Sequence, residues 1–279
     1  MKLRLNQITK GILLVKEEQI TQNRNNEIVK KELVEYEVEI CLSPLVGNER
    51  NGLWEIKDVR KEHLNIDDDI DEIEKFIKGC KIEFKLSDTG ELIGIENLNR
   101  VLEKIKGNMN KIDDNSLTAG SPFQEQLFGQ FGEFMIEIEI DNLIGLIKKY
   151  YKNYGLQLPK NLEKEEKGTF NRKLAKTKIP SINKIKSYFD NETQCLDYKL
   201  TKNVDNEGLM KIFEKNEEEF KPFDKKGLKE LFLKNEYYFK FKETIKYDTN
   251  RGLIQLYEEK VYTKLGGKLN IDILSFTVI

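Results

Sequence analysis

Histidine is all but missing from this chain: His63 is the one imidazole in 279 residues. That excludes Ser-His-Asp and Cys-His catalysis unless His63 serves alone, and it excludes metal sites built on several histidines. Cysteine is scarce too. Cys41, Cys80 and Cys195 form no CxxC and are odd in number. The expectation is reduced thiols packed as small core or strand-edge residues in a cytoplasmic protein. There is no excess of either charge, with 47 Lys and Arg against 49 Asp and Glu. Such a balance leaves no net field to recruit nucleic acid or an anionic membrane. No stretch approaches the ~18 uninterrupted apolar residues of a membrane helix. The short run Ile12–Val15 lacks the apolar length and cleavage-site residues of a signal peptide. Five prolines and eighteen glycines exclude collagen-like and low-complexity chains.

What is present is aromatic and β-branched. Fifteen Phe and eleven Tyr supply enough apolar surface for a core, which argues against disorder. Val34, Tyr36, Val38 and Ile40 alternate with Glu35, Glu37, Glu39 and Cys41, the period-two pattern of a sheet with one wet face. Trp54 and Ile56 repeat it after the turn-rich 46–52. Residues 67–78 switch to a helical period, with Ile70, Ile73, Phe76 and Ile77 on one face and Gly79 beyond the end. Lys81–Leu86 alternates as a strand, 87–90 makes a turn, and 91–96 returns. Helices are expected near 97–107 and 142–153, while Phe134–Ile140 alternates like a strand without excluding a helix. Residues 156–180 are polar, lysine-rich and bounded by Pro159 and Pro180, which predicts a linker or long crossing loop. Beyond it come a strand at 196–200 turning at Asp205–Gly208, a short helix over 225–234, and strands at 237–247, 253–262 and 268–279.

Phe84–Ile95 and Ile245–Leu256 echo each other. Both place an Asp-Thr turn with a glycine before Leu-Ile-x-aliphatic. In each, Asp is expected to close an Asx-type turn and Gly to take a positive φ. The echo leaves two readings open, a duplicated half and convergence on a good hairpin. The stretch Cys80–Leu102, with its strand, "D-x-x-G" turn, return strand and short helix, resembles uncharacterised lipoprotein-like envelope proteins, many from Bacteroidetes. Asp248–Leu256 resembles their C-terminal strand pair. The resemblance implies a curved, lipoprotein-carrier-like half-barrel with helices on one face, and it carries over no catalytic residues.

Several patterns invite chemistry and meet a plainer explanation. The acidic run Asp67–Glu72 fails as an EF-hand, because the sixth and twelfth positions hold Glu72 and Lys78 in place of Gly and Glu. Acids at a helix start answer the macrodipole alone. Ser181-Ile-Asn-Lys184 matches S-x-x-K without its companion motifs. Glu83-Phe-Lys85 with Asp71 upstream suggests a Mg²⁺-dependent phosphodiesterase or nuclease. The same E-x-K spacing recurs at Glu55/Lys57 and, with Asp for Glu, at Asp197/Lys199. A solvated strand face explains all three. Phe123, Leu127, Phe128, Phe131 and Phe134, with Gly129 and Gly132 among them, form the best candidate lining of an apolar groove.

The expectation is therefore an α+β fold. A curved antiparallel sheet in two related β-rich halves, 1–155 and 181–279, carries short helices on one face. The expected function is that of a non-catalytic bacterial binding protein, without metal or cofactor. It would hold a protein partner or a small apolar ligand, with an immunity or sequestering role as one concrete form. The alternatives are the phosphodiesterase using Asp71, Glu83 and Lys85, and a subunit of a larger assembly that exposes Leu269–Ile279 as an edge strand.

Overall fold

A computed structural model describes residues 1–64, 76–116, 132–174, 177–215, 230, 237–265 and 267–279. In chain order the elements are β1 (Ile8–Gln22), β2 (Ile28–Leu42), β3 (Glu49–Leu64), β4 (Lys81–Ser87), β5 (Leu92–Ile95), α1 (Leu98–Ser116) and α2 (Gly132–Tyr151). They continue as β6 (Leu162–Leu174), β7 (Thr177–Asp190), β8 (Cys195–Val204), α3 (Asn206–Lys215), β9 (Tyr237–Asp248), β10 (Leu253–Leu265) and β11 (Lys268–Val278). All eleven strands join one antiparallel sheet in the order β5-β4-β3-β2-β1-β11-β10-β9-β8-β7-β6. The sheet is curved and does not close, as twist demands of a sheet this wide.

The order descends through β5 to β1 and then through β11 to β6. Each half therefore runs three strands, a long connection, and two strands, with β11 added at the join. The two echoing hairpins, β4–β5 and β9–β10, fall at equivalent places in that scheme. Their turns differ in detail. Asp248 Oδ1 accepts from the amides of Asn250 and Arg251 at 2.9 and 3.0 Å, as expected. In the first hairpin the acceptor is Ser87, whose Oγ takes the amides of Thr89 and Glu91, and not Asp88.

One face of the sheet, here the inner face, carries the core. Alternation brings Val34, Tyr36, Val38, Ile40 and Leu42 of β2 inward, joined by Trp54 and Ile56, Ile82 and Phe84, Ile245 and Tyr247, Tyr257 and Phe276. Helix α2 fills the hollow. Ile136, Ile140, Leu143, Ile147 and Tyr150 follow helical spacing, and Leu146 and Tyr151 widen the stripe. A stripe that broad suits a helix half-enclosed by sheet. The buried tyrosines keep their hydroxyls partnered. Trp54 Nε1 donates to Tyr151 Oη at 3.3 Å, Tyr154 Oη accepts the Ile254 amide at 2.9 Å, and Tyr150 Oη donates to the Ile254 carbonyl at 3.4 Å.

Four expectations change. Residues 162–174 and 177–180, expected as linker, form β6 and the start of β7; their Lys and Glu side chains belong to a charged edge strand and its neighbour. Phe134–Ile140 lies in a helix. Residues 205–208, expected as a turn after the strand, open α3, with Asp205 Oδ1 accepting the Gly208 amide at 3.0 Å. The C-terminal strand is no edge, since β11 pairs with β1 on one side and β10 on the other. Most of the helix expected at 67–78 lies outside the described residues, as does that at 225–234 apart from residue 230.

Candidate functional site

The inner face changes character along its strands. On β9 it presents Phe239, Phe241, Glu243, Ile245 and Tyr247. On β10 it presents Tyr257, Glu259 and Val261, with Glu259 directly opposite Glu243. Like charges in that register repel. Glu17 of β1 stands in register with Leu274 and Val34, on the same face. Three carboxylates thus border the apolar core, close to the last turn of α2.

Burial pushes the carboxyls of Glu243 and Glu17 above their ordinary 4.5. Lys152 opposes the shift at Glu243, as does Lys149 at Glu17. The Tyr257 hydroxyl lies between the glutamates, 2.8 Å from Glu259 Oε2 and 3.3 Å from Glu243 Oε1. It has one proton, and the shorter contact takes it. Lys149 and Lys152 reach Glu259 at 3.9 and 3.8 Å, and Lys152 lies 5.4 Å from the centre of the Tyr257 ring.

A cleft of about 170 Å³ opens here between Glu17, Lys149, Glu259 and Asp272. It has room for a few waters, at ~30 Å³ each, and falls short of the ~300 Å³ of a small ligand pocket. Among the described residues no group of three or more His, Cys, Asp or Glu side chains is placed to hold a metal ion. The arrangement links Glu243, Glu259, the Tyr257 hydroxyl and two lysines in one network of side chains. Further along the same face the sheet stays open, and Gln19 of β1 and Asn270 and Asp272 of β11 are exposed on its two central strands.

The residues singled out in the sequence lie elsewhere. Glu83 and Lys85 point from the outer face of β4, opposite Leu53 and Asn51. Glu83 reaches Arg100 at 3.9 Å and Lys85 reaches Glu96 at 3.4 Å. A depression of about 560 Å³ runs past both and past Cys41. Asp71 lies outside the described residues. So do Phe123, Leu127, Phe128 and Phe131, while Phe134 falls within α2 and its side chain is not described. Ser181 is buried and donates to Asn183 at 2.8 Å, whereas Lys184 sits on the outer face with Glu165 at 3.0 Å, so S-x-x-K is split across the sheet. Glu55 and Lys57 join a ladder of ion pairs, Lys10–Glu39–Lys57–Glu55–Lys81, spanning four strands of the outer face. His63 is exposed on β3 opposite Glu32. Cys80 is buried, which pushes its thiol up to about 11 and makes it a poor nucleophile.

No protein-family model matches the chain, and no curated protein does. Among solved structures it is similar to one described as "lipid-protein interactions in lipovitellin", at 8% identity and a TM-score of 0.44. The likeness covers all of this chain and 25% of that one, so the chain spans about a quarter of that protein's length. A score that low supports no functional inference.

Sequence reasoning missed Glu17, Glu243 and Glu259. A signal for two of them was present. In Phe241-Lys-Glu243-Thr-Ile245 and Tyr257-Glu-Glu259-Lys-Val261 the glutamate falls on the apolar parity of its strand.

Proposed function

We propose that the chain is a non-catalytic binding protein that holds a protein partner in the open trough of its sheet. A cytoplasmic immunity or sequestering role is the concrete form of this reading. One observation carries it. Gln19, Asn270 and Asp272 are exposed on the inner face of the two central strands, where a half-barrel has most to enclose. A polar floor suits hydrogen bonding and charge pairing with a protein surface better than it suits a hydrocarbon chain. The resemblance to carrier-like half-barrels supports a role in holding something; the polarity of the trough favours a protein.

The test is native mass spectrometry of the protein from its own cells, before and after denaturation, beside the variant Asp272→Lys. The expected result is a second chain retained by the wild type and lost from the variant, with an unchanged melting temperature. A retained small apolar mass would replace the partner with a ligand. A bare chain in both samples would end the reading.

A further inference from the structure

The outer face of the C-terminal half differs from the ladder of ion pairs on the other half. On β7 to β10 two pairs of lysines stand directly opposite each other, Lys186 with Lys199 and Lys242 with Lys260. Like charges in that register cost stability and gain nothing from each other. One member of each pair has an acid, Lys186 with Glu163 at 2.5 Å and Lys260 with Glu258 at 2.9 Å. Lys199 and Lys242 have none within 4 Å among the described residues; Lys242 lies 5.4 Å from the Tyr262 ring centre. Lys184 and Lys246 extend the same face, Lys184 paired with Glu165 at 3.0 Å and Lys246 in register with Asp197. Beside them Tyr188 is 63% exposed, and a depression of about 750 Å³ runs past it, Lys186 and Lys199.

We infer that this face binds single-stranded nucleic acid. Lysines in rows with an exposed aromatic ring among them are what a phosphate backbone and an unstacked base require of a sheet surface. Protein interfaces are depleted in lysine, so this composition fits a protein partner less well. The whole-chain charge of −2 does not oppose the inference, because on this face Lys184, Lys186, Lys199, Lys242, Lys246 and Lys260 outnumber Glu163, Glu165, Asp197 and Glu258.

The test uses a fluorescein-labelled oligothymidylate of about 20 nucleotides, read by anisotropy on the full chain. Binding is expected at about 50 mM salt and should weaken roughly fiftyfold by about 200 mM if four phosphates are neutralised. The double variant Lys199→Glu/Lys242→Glu should lose at least about tenfold in affinity while melting no lower than the wild type, since it removes two repulsions. Tyr188→Ala should lose at least about fivefold, and Lys10→Glu on the other half should lose nothing. No binding at low salt overturns the inference, and so does binding that the double variant leaves intact. Binding to vesicles with anionic lipid, without binding to the oligonucleotide, replaces the nucleic acid with a membrane surface.

Discussion

A carboxyl on the buried side of a strand has two ways to avoid an uncompensated charge, a cation or a proton. Glu259 takes the first, with Lys149 and Lys152 beside it. At Glu243 burial raises the carboxyl and so favours the second. A raised carboxyl holds its proton more tightly in the folded chain than in the unfolded one. Its contribution to stability is therefore full below pH about 4.5 and is lost as pH rises through the folded value. Chemical denaturation of Glu243→Gln between about pH 4 and 8 should show a smaller loss of stability with rising pH than the wild type. An unchanged slope would place Glu243 in solvent. At this scale the sequence misled wherever a residue's type suggested its surroundings. Asp88 looks like the turn acceptor that Ser87 turns out to be.

Elements were legible where the window was long enough. Phe134, Ile136, Ile138 and Ile140 alternate as a strand would, but Ile136, Ile140, Leu143 and Ile147 carry the helical period onward, and the longer pattern prevails in α2. The 156–180 segment fails for a different reason. An edge strand has one free side and needs few apolar residues, so β6 resembles a loop in composition. Two joints between elements can be probed. Gly90 has φ +84°, and a Cβ there would lie 2.5 Å from the Tyr151 carbonyl oxygen where the end of α2 meets the β4–β5 turn. Gly90→Ala should cost about 1–3 kcal/mol in urea unfolding. Asp205→Ala removes the cap of α3 and should cost about 1 kcal/mol. A loss of under a few tenths from either would show that the joint carries no strain or capping energy.

At the scale of the whole molecule, the periodicity of the chain predicted the class of fold, and its composition hid the distribution of charge. A chain of net charge −2 carries a lysine-rich face on one half of its sheet and a balanced ladder on the other. No count of residues distinguishes that from uniform mixing; strand register does. The open edges carry a second lesson. β5 is four residues long, which limits what can pair with it, whereas β6 runs thirteen and is guarded by Glu163, Lys164, Glu165, Glu166 and Lys167. Replacing Lys164 and Glu166 with Val should turn that edge adhesive, seen as higher oligomers in light scattering. A variant that stays monodisperse would show that charge is not what protects it.

The seam between the halves ties the first strand to the last. Ten residue pairs join β1 to β11, from Leu13 opposite Val278 to Gln22 opposite Leu269. A ribosome finishing β1 at residue 22 adds 245 residues before it starts β11 at 268. At ~5–20 residues per second this takes roughly 10–50 s. Throughout that interval one side of β1 has backbone groups without their native strand. The nascent chain spends longest vulnerable at what becomes the middle of the finished sheet, and a chaperone acting during synthesis would find its target there.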